Sequence, residues 1–97
     1  MKKIQINTDR IINWKTFHSH FADQFGFPDY YGQNMNAWID CMEEFVIDGI
    51  TVLEFGDCRS LKERAPEIHK AILECSAFIN YRSTEAGEEP KLIISMG

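Results

Sequence analysis

The sequence has few cysteines, no long apolar run and a deficit of positive charge, and each shortage excludes something. Its three cysteines, Cys41, Cys58 and Cys75, lie too far apart for a Cys-x-x-Cys metal or redox motif. Their odd number argues against a secreted disulfide framework and points to free thiols in a reducing compartment. No stretch approaches the roughly 20 apolar residues that span a bilayer. Met1 to Ile6 carries two lysines with no apolar stretch behind them, so no signal peptide is read there. A cytoplasmic location without a membrane partner is expected. Ten Lys and Arg stand against 15 Asp and Glu, a formal net charge of −5. That balance repels phosphate backbones, disfavours direct binding to nucleic acid and favours a basic partner.

Catalytic signatures are also missing. There is no phosphate loop, no Gly-x-Gly-x-x-Gly and no nucleophile elbow. His18 and His20, two apart on a helix, point in different directions and cannot easily share a metal. They read as surface residues, His69 stands alone, and no metal or cofactor is expected. Cys41 falls on the apolar side of an acidic helix, where it reads as a small core residue rather than a nucleophile. Cys58 reads as more exposed. Asp40 with Glu43 or Glu44 has helical-face spacing for paired acids, yet adjacent acids usually mark a wet surface. No enzyme is expected; a hydrolase built on Cys41 would need an exposed thiol.

What is present describes one domain over residues 1–97, with 44% hydrophobic and 26% charged residues. Lys3–Ile6 reads as a strand, Ile11 and Ile12 as a buried link, and Asn13 as the cap of a helix to about Phe25. Trp14, Phe17, Phe21 and Phe25 recur at helical spacing as a core stripe. Asn34 caps a second helix from about Met35 to Val46. Met35, Trp38, Cys41, Met42, Phe45 and Val46 share its apolar arc. Asn36, Asp40, Glu43 and Glu44 fill the opposite arc, with Ile39 at the boundary. Ile50–Phe55 is a buried central strand. Ser60 caps a turn through Arg64, and Pro66 opens a helix to about Tyr81. The buried stripe of that helix is expected to be Ile68, Ala71, Ile72, Cys75, Phe78 and Ile79. Arg82 to Pro90 reads as a loop and Lys91–Met96 as the last strand. Helical segments between strands imply an α/β fold, a three-stranded parallel sheet with about four helices packed on it.

The organising stretch is Phe27 to Met42. Gly26 and Pro28 interrupt the first helix, and two tyrosines and a glycine precede the Asn34 cap. Tyr30 and Tyr31 are large, stiff contact surfaces on a loop fixed by Pro28 and Gly32. Asp40, one turn after Asn36, is placed to accept paired bonds from a partner's arginine, as a phosphate oxygen would. The alternative is that both tyrosines pack beneath the loop and the acids only solubilise the helix.

The run Tyr30-Tyr31-Gly32-Gln33-Asn34-Met35-Asn36-Ala37-Trp38-Ile39-Asp40-Cys41-Met42 resembles the signature of the barstar family, intracellular inhibitors of a secreted bacterial ribonuclease. The resemblance implies a barstar-like fold and a loop and helix that block a basic ribonuclease without doing chemistry. The family's binding positions match here at Tyr30, Gly32, Asn34 and Asp40, with Asp40 as the central acid. An ungapped register from Ala65 adds Glu74 as a further acidic contact. Asn36 stands where the best-known member has a second acid. Ile39 replaces an interface tryptophan, Phe45 another, and Glu43 and Glu44 bring acids where that member has uncharged residues. These departures imply a different ribonuclease with its basic residues placed differently. Partner contacts are therefore expected at Tyr30, Gly32, Asn34, Asn36, Ile39, Asp40, Glu43, Glu44 and Glu74. The protein is expected to be an immunity protein or antitoxin, monomeric when free. The rival reading is a barstar-like module with a non-nuclease cytoplasmic partner.

Overall fold

Capping chemistry sets the first helix. In a computed structural model that describes residues 1–96, strand β1 (Lys2–Gln5) leads through a 3₁₀ turn (Thr8–Arg10) to helix α1 (Trp14–Phe25). The Asn13 side chain accepts from the Thr16 N–H at 2.9 Å, and the Thr16 hydroxyl accepts from the Asn13 N–H at 3.0 Å. This reciprocal pair satisfies two amides that helix geometry leaves free. Gly26, at φ +66°, ends α1 in the left-handed conformation that glycine adopts at little cost.

Helix α2 (Met35–Phe45), strand β2 (Thr51–Gly56), helix α3 (Arg59–Arg64), helix α4 (Pro66–Glu85) and strand β3 (Leu92–Met96) follow. The strands lie in the order β1-β2-β3, all parallel. The expected three-stranded parallel α/β sheet with four helices is therefore present. When strands follow one another in space, right-handed crossovers bring their helices to the same face. Burial agrees: Thr51, Leu53, Phe55 and Leu92 are buried, whereas Lys3, Gln5, Ile93 and Ser95 are exposed on the other face. One core cluster joins Phe17 and Phe21 of α1, Trp38 and Met42 of α2, Leu53 and Phe55 of β2, and Ile68, Ile72 and Ile79 of α4.

Several expectations need correction. Helix α4 runs to Glu85, not Tyr81, because its stop signal is Gly87 at φ +80° and because Arg82 is tied to α2. Residues Arg82 to Glu85 are thus helical rather than loop. Within α4 Ser76 is buried and Phe78 is 44% exposed, since Phe78 lies off the Ile68–Ile72–Ile79 line. Ile11 is fully buried but Ile12 faces solvent, so the link buries one side chain rather than two. Ser60 is not a cap: α3 starts one residue earlier, where Asp57 accepts from the Arg59 N–H at 3.0 Å. Cys58 is buried, not exposed. His18 is buried as well, and Trp14 is the exposed end of its stripe.

Polar braces lock the layers together. Asn80 of α4 accepts from the Lys91 and Leu92 amides at 3.1 and 2.9 Å and donates to the Leu92 carbonyl at 2.7 Å. Arg64 donates to the Ile11 and Thr8 carbonyls at 3.1 and 2.8 Å, fastening α3 to the 3₁₀ turn. These contacts hold β3 and α3 in place and leave α2 with its preceding loop as the acidic edge.

Candidate functional site: the tyrosine loop and the acidic helix

Pro28 starts the loop, and the Tyr31 N–H closes a turn on the Pro28 carbonyl at 2.9 Å. That turn separates the two tyrosines. Tyr30 is 88% exposed. Tyr31 folds inward, its ring 4.9 Å from that of Phe27, and its hydroxyl meets His18 Nδ1 at 2.5 Å. His18 is 3% exposed, stacked beside Trp14 and edge-on to Phe17. Burial lowers the His18 pKa and pushes the Tyr31 hydroxyl's up, so a neutral pair is favoured near pH 7. One tyrosine anchors and the other is presented.

The end of the loop is built around the α2 cap. Asn34 Oδ1 accepts from the Ala37 N–H at 2.8 Å, and its Nδ2 donates to the Gly32 carbonyl at 3.2 Å. Both polar ends of this side chain therefore work inside the chain. A Cβ on Gly32 would come within 3.2 Å of Asn34 Nδ2, so the close approach suits glycine.

Along α2, Trp38 and Met42 are buried and Asn36, Asp40 and Glu44 are exposed, while Ile39 is half-buried at the boundary. Three acids crowd the C-terminal half of this helix, where the backbone dipole is negative. Like charges four apart, Asp40 and Glu44, add a further small penalty. Arg82 of α4 offsets part of it by gripping both oxygens of Glu43, with Nε 2.9 Å from Oε2. Glu43 is thus engaged within the chain, whereas Asp40 and Glu44 form no ion pair among the described residues. Glu74 is exposed on α4, with Lys70 3.7 Å away.

Cys41 is half-buried rather than sealed in the core. Burial and then the carboxylates of Glu44 and Asp40 push its thiol pKa up, away from the thiolate a nucleophile needs. It lines a cavity of about 300 Å³ between the loop and the end of α2, together with Phe25, Phe27, Tyr30, Glu44 and Phe45. A larger open concavity, about 620 Å³, lies among Arg10, Thr16, His20 and Asp23; none of its lining residues belongs to the loop or to α2. No group of three or more His, Cys, Asp and Glu among the described residues is placed to hold a metal ion. No helix among them is long and apolar enough to cross a membrane.

The expected site residues thus fall into groups. Tyr30, Asn36, Asp40 and Glu44 are presented; Gly32 and Asn34 shape the backbone that presents them; Ile39 sits at the edge; Glu43 and Glu74 have intramolecular partners. Sequence reasoning missed His18 and Arg82. His18 had a signal, since it stands four residues after Trp14 beside the aromatic stripe; Arg82 had none.

A family model described as Barstar (barnase inhibitor) matches residues 1–95. The chain is also 39% identical over 46 residues to YrdF of Bacillus subtilis (strain 168), named as a candidate ribonuclease inhibitor. That match covers 47% of this chain and 50% of YrdF, so the chain spans about half the length of that relative.

Proposed function

Because this chain belongs to the barstar family, we propose that it inhibits a basic bacterial ribonuclease by covering the enzyme's active site with the Tyr30 loop and α2. It acts as a cytoplasmic immunity protein or antitoxin and does no chemistry itself. Asp40 takes the place of a substrate phosphate oxygen, accepting charge-assisted bonds from the enzyme's arginines. Tyr30 supplies a stiff ring surface of the kind that anchors interfaces. The loop is already fixed by the Tyr31–His18 and Asn34–Gly32 contacts, so little ordering entropy is lost on docking. Gly32 lets the partner's backbone approach, and Asn36, Ile39 and Glu44 flank Asp40. Glu43 and Glu74 form the acidic surround that steers a basic enzyme.

The observation that carries this reading is an exposed Tyr30 sharing a cavity wall with Glu44, one turn beyond an equally unpaired Asp40. Adding the purified protein to a bacterial ribonuclease captured with it from cells should abolish RNA cleavage at a one-to-one ratio. A captured partner without nuclease activity would instead support the rival, a barstar-like module for another cytoplasmic protein. Asn36, which carries no charge, and Ile39, half-buried at the boundary of the arc, are the residues that favour that rival, and Glu43, already held by Arg82, adds to them.

A further inference from the structure

We propose that the cavity between the loop and the end of α2 is a receptor for a single basic side chain, an arginine or lysine head taken from the partner's surface. The inference rests on the reading that the partner is basic, but it concerns a site distinct from Asp40.

Its volume of about 300 Å³ lies at the small end of ligand cavities and is ample for the head of one side chain. Its walls are aromatic. Phe25 meets Phe45 edge-on at 4.8 Å and stacks on Phe27 at 6.0 Å, and Tyr30 forms the outer wall. Ring faces attract cations through their quadrupoles, and the attraction grows when the cation is partly desolvated. Phe45 already receives one: Lys2 Nζ stands 4.9 Å from its ring centre. Glu44 adds a carboxylate to the same wall and has no cation of its own among the described residues. An anion in this cavity would meet Glu44, and a purely apolar group would make no use of that carboxylate. A cation satisfies both features.

The arrangement also gives the acids at the end of α2 a purpose. Glu44 sits where the helix dipole opposes it, and no ion pair among the described residues relieves it. A bound cation would. The receptor and Asp40 are one helical turn apart, so a partner with two basic side chains at that spacing would engage both.

The test uses the intact protein and N-acetylarginine amide as probe, with N-acetylcitrulline amide as its neutral counterpart. Nuclear Overhauser contacts from the probe's side chain to the rings of Phe25, Phe27 and Phe45 are expected. Saturable amide shifts confined to residues 25–27, 29, 30 and 41–45 should accompany them, with citrulline several-fold weaker. Glu44→Gln, an exposed substitution whose fold the same spectra verify, should weaken arginine binding several-fold. Absence of saturable shifts in the wild type, equal binding of citrulline, or an unchanged affinity in Glu44→Gln would each overturn the assignment. Ribonuclease inhibition does not enter this experiment, so an empty cavity with intact inhibition would remove the receptor and leave the inhibitor standing. The reverse result would do the opposite.

Discussion

Arg82 of α4 holds Glu43 of α2 by both carboxylate oxygens, its guanidinium lying 4.9 Å from the Phe78 ring centre. One cation from a neighbouring helix therefore divides the acidic arc, leaving Asp40 and Glu44 without an ion pair among the described residues. Replacing Arg82 by Gln releases Glu43 and takes the formal charge from −5 to −6. Association with a basic partner should speed up and become steeper in salt, with little change in dissociation. Stopped-flow association at two ionic strengths checks this. An unchanged rate would mean that Glu43 stays outside the steering field.

The His18–Tyr31 pair predicts a pH dependence of stability. Burial lowers the folded pKa of His18 below its ordinary 6.5, so the unfolded chain binds that proton more readily. The contribution is fully present above about pH 6.5 and is lost as pH falls through the folded value. His20 is lowered too, by burial first and Arg10 second, and adds to the same slope. Urea unfolding between pH 7.5 and 5 should show the loss, and His18→Gln should flatten it.

Tyr31→Phe removes the hydroxyl and leaves His18 Nδ1 buried without that partner. A loss of about 1–3 kcal/mol is expected, the cost of an unsatisfied buried polar atom. Loop amides 29–33 should exchange faster with solvent. Equal stability would show that the hydrogen bond merely replaces one to water.

Asn34→Ala should cost about 0.5–2 kcal/mol through the lost cap. Asn34→Asp keeps the acceptor for Ala37 but loses the donor to Gly32, so it should retain most helix stability while loosening the loop. Hydrogen exchange at residues 30–33 separates the two effects.

Glu44→Lys should stabilise the free protein by about 0.3–1 kcal/mol, because the end of a helix favours a cation. The same change should weaken partner binding. A gain in stability with undiminished binding would mean that the charge at this position serves no recognition.

Local chemistry explains what was legible in the sequence. Asn13, Asn34 and Pro66 mark three helix starts, and the β-branched run at Ile50–Phe55 marks the central strand. Asp40 and Glu44 could be placed on the surface from helical phase alone, whereas the loop residues left Tyr30 open between a presented and a packed ring until the family resemblance favoured the first. What escaped depends on contacts distant in sequence. Nothing local reveals that Arg82 reaches Glu43, 39 residues away, or that α4 continues past Tyr81 to Gly87. His18 stands one turn after Trp14 beside the aromatic stripe, a local signal for burial, but its cover comes from Tyr31 turning inward across the loop, 13 residues away. Cys41 divided between two readings because a cavity, not the core, borders that side of α2.

We propose that Asp40, exposed in the free protein, becomes the buried anchor of an inhibitory interface. The most direct test of this is the dissociation constant of Asp40→Ala for the captured ribonuclease, compared with wild type by isothermal titration. A loss of at least about 2 kcal/mol is expected, the threshold for an interface hot spot and one for which a barstar aspartate is itself a standard example. An unchanged dissociation constant, with both proteins folded, would contradict it.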